Sequence, residues 1–211
     1  MSKQSTKLSR KKKTLVITEV AILAALIVIM SFTPLGFLRV GPLSITFIMI
    51  PVVLGGVLCG PAVGAVLGLI FGIVSFIQCF MGEPLGAILV SVSIFRTLIV
   101  CIVPRVIAGF LPGLIFNALK KYDKKSTWSF LVAGATGSAL NTILFLGSLA
   151  LLFWNVVFTP EQAISLGGVD TVLKTVIILC TSINAPVEIL ACTLLSSAIG
   201  KGLMSATKGI K

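Results

Sequence analysis

The feature that most constrains this chain is its succession of apolar runs, each close to the length of a membrane crossing and separated by short polar or Pro/Gly-rich links. The first runs from Thr14 to Phe32, about 19 residues with a single charge, Glu19. At about 1.5 Å per residue, a helix of that length matches the roughly 30 Å hydrocarbon thickness of a bilayer. Lipid offers the backbone no hydrogen-bond partners, so a crossing segment must satisfy its own amides, and a helix does so. Composition agrees: 57% of residues are hydrophobic and 11% charged, where a soluble domain usually carries about a quarter charged residues. The chain therefore reads as an all-α integral membrane protein with no room for a soluble domain.

Six spans are expected. Span one is Thr14–Phe32, and no small-x-small cleavage site follows it, so it reads as a retained helix and not a removed signal. The segment TPLGFLRVGPLS, from Thr33 to Ser44, holds too much Pro and Gly for a helix. Its only charge is Arg39, which marks either a lid or the membrane interface. Span two covers Ile45 to Leu58, with Pro51 expected to bend or break it. Cys59-Gly60-Pro61 forms a tight turn, and span three follows from Ala62 to Ile77. Gly60, Gly64, Gly68 and Gly72 recur every fourth residue, a ridge that permits close helix contact and reads as core packing more than as a pore. Span four starts after Pro84 and continues to Ala118, too long for one perpendicular crossing. Pro104 and Pro112 are expected to kink it and leave Arg105 near the interface. Span five runs from Trp128 to Trp154 and span six from Asp170 to Ala198.

The net charge of +11 is not a nucleic-acid footprint, because thirteen of the seventeen Lys and Arg lie in three clusters flanking apolar runs. They fall in residues 1–13, between Lys120 and Lys125, and from Lys201 to Lys211. An even number of spans puts all three on one side, which the positive-inside rule makes the cytoplasm. The expected organisation is a basic cytoplasmic tail over 1–13, one membrane domain over 14–205 and a second basic tail over 206–211, with both termini cytoplasmic.

Within the apolar runs a few polar residues stand out. Arg96 is the only charge between Glu83 and Arg105. A cation at membrane depth costs several kcal/mol and faces a cavity or a partner. It either pairs with a structural carboxylate such as Glu188 or recognises an anion. Gln78, Asn141, Asn184 and Glu188 complete a polar set on different helices, the pattern of a small-molecule pocket with apolar walls. Arg96 would offer a bidentate fork to a carboxylate, and the amides would meet hydroxyl or amide groups. Ala21 and Ala25 form a small-xxx-small step on span one, suited either to internal packing or to docking of another membrane subunit.

Other chemistry is excluded. The chain has no histidine, which removes His-based metal sites and general bases. Its five cysteines lie scattered in apolar sequence without metal-ligand spacing and read as small packing residues. Glu19, Glu83 and Glu188 are too widely spread to make a paired-carboxylate site. No GxxxxGK[ST] loop is present, so an ATP-driven step would need a partner. Nothing repeats in the manner of a channel's charged or carbonyl-rich rings. No cofactor is expected.

The six-span pattern, the Ala21–Ala25 step, the Pro/Gly loop and the block ITFIMIPVVLGGVLCGPAVGAVLGLIFGIVSFIQCF, with VCIVPRVIAGFLPGLIFNAL and NAPVE, resemble the substrate-binding S-components of energy-coupling-factor (ECF) vitamin transporters. The resemblance implies an S-component-like bundle in a bacterial plasma membrane and uptake of a small vitamin, without enzymatic activity of its own. It further implies docking through Ala21 and Ala25 to a transmembrane coupling subunit that works with two cytoplasmic ATPases. The loop after span one would gate the pocket, and the subunit would topple in the membrane to release its vitamin. Gln78, Arg96, Asn141 and Asn184 look most like the pantothenate-type members, and Glu188 and Arg39 join them as candidate binding residues. Riboflavin, folate or an unassigned ligand are the alternatives within the family; a small membrane enzyme or a structural membrane subunit are those outside it.

Overall fold

In the computed structural model, whose described residues are 2–34, 36–40, 43–81, 84–123, 127–157, 160, 171, 174 and 184–207, seven helices and one β-hairpin are formed. Helix α1 spans Ser2–Phe32, so the helix of the first span continues back through the basic N-terminal segment. The Pro/Gly-rich segment folds as an antiparallel hairpin, β1 (Phe37–Val40) on β2 (Leu43–Thr46), with Arg39 opposite Ser44. The remaining helices are α2 (Met49–Cys59), α3 (Pro61–Phe80), α4 (Pro84–Val92), α5 (Ile94–Leu119), α6 (Thr127–Phe153) and α7 (Asn184–Thr207).

Five segments are long and apolar enough to cross a membrane: Thr14–Phe32, Pro61–Phe80, Ile94–Leu119, Thr127–Phe153 and Pro186–Met204. The expected second span is different. Its first residues, Ile45 and Thr46, belong to β2, and the helix itself has 11 residues, about 16 Å and half a bilayer core. Every residue from Met49 to Val57 is buried. An apolar surface all round suits a helix enclosed by others, and α2 packs against α1, α3, α5, α6 and α7. Pro51 does not break it, because it lies in the first turn, where the missing N–H has no intrahelical partner to lose. Gly60 ends α2 with φ of 111°, and Pro61 opens α3.

The glycine ridge is the seam between α3 and α5. A Cβ on Gly64 would stand 2.2 Å from the carbonyl oxygen of Gly109, one on Gly68 2.2 Å from that of Arg105, and one on Gly72 2.9 Å from that of Cys101. Backbone meets backbone along about two turns, which only glycine allows. In lipid, where burying apolar surface gains little, such contact is what joins helices. Gly60 stands apart from this ridge, since a Cβ there would meet nothing within 4 Å. Gly134 likewise brings α6 against the backbone of Thr193 in α7.

The expected fourth span is two helices. The chain leaves helical geometry at Ser93 (φ −166°, ψ 110°), whose side chain accepts from the Arg96 amide at 3.5 Å and caps α5. Pro104 and Pro112 lie inside a continuous α5. Of the expected sixth span, the described residues form α7 from Asn184 onward; Glu83, Cys180 and most of the link before Asp170 lie outside the described residues.

Candidate functional site

The polar interior is built around Arg105, and a proline creates its place. Pro104 has no N–H, so the carbonyl of Val100, one turn earlier, loses its helical partner. Arg105 Nη1 donates to that carbonyl at 3.1 Å and to the Cys101 carbonyl at 3.1 Å. The guanidinium therefore folds back along its own helix. Its carbon lies 5.1 Å from the ring centre of Phe71 on α3 and 5.0 Å from that of Phe145 on α6, within range of cation–π attraction to both. Gly68 supplies the close approach of α3 at this level. Arg105 is 9% exposed, midway along α5, and not at the interface where the sequence reading put it. Its Nε is buried and meets no acceptor among the described residues.

Glu188, one turn into α7, is 8% exposed and is a buried acid of this interior. Its carboxylate accepts from Ser138 Oγ of α6 at 3.4 Å and from the Thr46 amide of β2 at 3.5 Å. Both bonds are long for a charged acceptor. The second ties the hairpin to the last helix across most of the chain. Asn141 lies between the two charges in the register of α6: Ser138, Asn141 and Phe145 follow at three- and four-residue steps on one face. Ser138 reaches Glu188 and Phe145 covers Arg105, while Asn141 Oδ1 is buried with no partner among the described residues.

The other candidates from the sequence divide. Gln78 donates to the carbonyl of Ser31 and so ties the end of α3 to the end of α1. Arg96 is exposed in the first turn of α5, and its Nη1 donates to the Leu152 carbonyl at 3.3 Å. Neither is bonded to Glu188 among the described residues. Asn184 opens α7 one turn before Glu188, and Arg39 lies on β1; both side chains are outside the described residues. Ala21 and Ala25 are exposed on α1, beside Ile17, Ile22 and Ile29. Cys79, Cys101 and Cys192 are buried packing residues.

Arg105, Ser138 and Thr46 are the site residues that sequence reasoning passed over. The signal for Arg105 was its position after a mid-helix proline, where a freed carbonyl awaits a donor. Ser138 carried a weaker one, three residues before Asn141 in a small-residue run, and Thr46 carried none.

These features define a multi-helix membrane protein with a buried polar cluster that the hairpin and the last helix share. Residues 15–199 match the family described as the ECF transporter, substrate-specific component, and the chain belongs to that family. It is a transporter's substrate-binding subunit and not an enzyme, and it works with a membrane module and an ATPase module. No curated protein gives a significant match to the chain.

Proposed function

We propose that this subunit captures a small carboxylate-bearing vitamin, pantothenate, in the interior between the hairpin and α7, and delivers it to an ECF coupling subunit energised by two cytoplasmic ATPases. The observation that carries this reading is the bond from the Thr46 amide to Glu188, which closes the hairpin over the buried polar set. A ligand held beneath a hairpin latched by one long hydrogen bond can leave when that bond opens. Asn141, Asn184 and Glu188 contact the ligand. Gln78 ties the end of α3 to the end of α1 beside this interior.

With α2 counted as a short sixth crossing, both termini and the three lysine clusters lie in the cytoplasm of a bacterial cell. The hairpin then faces outward, where a vitamin arrives. Ala21 and Ala25 are the docking face for the coupling subunit. Their support is exposure: only 11% of the apolar stretch of α1 is buried, against 44% of α3 and of α5.

The test is extraction and small-molecule mass spectrometry of the full chain purified from cells grown in rich medium, followed by calorimetric titration with a vitamin panel. A single bound carboxylate vitamin is expected. Failure to retain or bind any vitamin overturns the reading.

A further inference from the structure

The interior holds one unmet donor and one unmet acceptor that do not meet each other. Arg105 Nε is buried with no acceptor, and Asn141 Oδ1 is buried with no donor, among the described residues. Leaving a buried polar group unpaired costs about 1–3 kcal/mol, more when charged. Both belong to the same layer of the bundle, since Asn141 is one helical turn from Phe145, which covers the Arg105 guanidinium. Arg105 and Glu188 form no ion pair within hydrogen-bonding distance among the described residues, although the arginine's charge acts on the carboxylate. A buried arginine and a buried acid that are not bonded to each other, with an unpaired donor and acceptor beside them, suit a molecule that carries the complementary groups. The faces of the guanidinium are covered by Phe71 and Phe145, and its Nη1 is occupied by its own helix, so the edge left without a partner is the one that carries Nε. That edge is the planar fork that matches a carboxylate.

We propose that Arg105, and not Arg96, receives the carboxylate of the transported molecule on its Nε edge, while Asn141 Oδ1 and Glu188 accept from hydroxyl, amide or ammonium groups elsewhere on it. The assignment rests on the substrate-binding reading above and narrows it to carboxylic acids that also carry hydrogen-bond donors. The phenylalanines fix the plane of the guanidinium, and Pro104 fixes its depth by leaving the Val100 carbonyl available. Glu188 offsets the arginine's charge while no ligand is bound. A neutral analogue of the same shape would leave the Arg105 edge unpaired.

The experiment titrates the full chain with pantothenate and with pantothenol, in which a hydroxymethyl group replaces the carboxylate, beside a panel of acidic and non-acidic vitamins. Wild type is expected to favour the acid by roughly 10–100-fold, the value of a charge-assisted bond. In Arg105→Gln that ratio falls towards one because affinity for the acid is lost while affinity for the alcohol is kept. In Arg105→Lys, which keeps the charge and loses the fork, the ratio falls by a smaller factor. Arg96→Gln leaves it unchanged. If Arg105→Gln does not elute as a single species, the ratio in Arg105→Lys decides, and an unchanged ratio there overturns the proposal. Equal loss of both ligands makes Arg105 a structural residue and also overturns it. Binding of a non-acidic vitamin alone overturns the carboxylate assignment and leaves the substrate-binding reading standing. Binding of no vitamin overturns both.

Discussion

Gly64 offers the sharpest test of how this bundle is held together. An alanine there places its Cβ 2.2 Å from the Gly109 carbonyl oxygen and 2.8 Å from the Gly56 Cα, both backbone atoms that cannot rotate away. Restoring ordinary contact near 3.4 Å requires α3 and α5 to part by about 1 Å. A gap of that size removes roughly a quarter to a half of each atom-pair attraction of about 0.1–0.2 kcal/mol. Taken at its upper end over about thirty pairs along the Gly64–Gly68–Gly72 seam, the loss reaches about 3 kcal/mol, the upper end of ordinary overpacking. For a chain of this size that lowers Tm by roughly 6–12 °C. Thermal unfolding of the detergent-purified chain, followed by loss of the monodisperse elution peak, measures it. A Gly64→Ala protein melting within about 2 °C of wild type, where the estimate asks for several times that, would refute the reasoning that backbone contact joins these helices.

The same assay should give the opposite sign at Gly147 on α6, where a Cβ meets nothing within 4 Å; Gly147→Ala should raise stability by about 0.5–1 kcal/mol, the helical preference for alanine. Asp123 Oδ2 accepts from both the amide and the hydroxyl of Ser129 at the start of α6. Asp123→Ala should therefore cost about 1 kcal/mol, as loss of a helix cap does, with ligand affinity unchanged by calorimetry. Replacing Ala21 and Ala25 together by Leu should abolish copurification with the coupling and ATPase subunits while sparing vitamin binding and Tm; intact copurification would show that this face docks nothing.

Much of this was legible in the sequence because hydropathy acts locally. Apolar runs of helical length fixed spans one, three and five to within a few residues, since a lipid-facing backbone has no alternative to a helix. Gly60–Pro61 marked its turn, and the four-residue glycine spacing marked the seam, because both are properties of backbone geometry that a glycine or proline imposes wherever it stands. The polar set was partly legible: Asn141 and Glu188 stood out as polar residues in apolar runs, and the structure brings them into one layer.

Tertiary structure alone decided which cation is buried. In sequence Arg96 is the more isolated of the two arginines, but the break at Ser93 puts it in the first turn of α5, where it is exposed. Arg105, which looked like an interface residue, is carried to mid-helix because Pro104 and Pro112 are absorbed within α5, and because Gly68, Phe71 and Phe145 from two other helices enclose it. The enclosure of the short α2 by five neighbours and the bond from Thr46 to Glu188 across the chain are likewise contacts between distant segments. Local pattern determines which residues become helices; which of their polar groups face one another depends on helix rotation and on close packing at particular glycines, and those are set only when the bundle assembles.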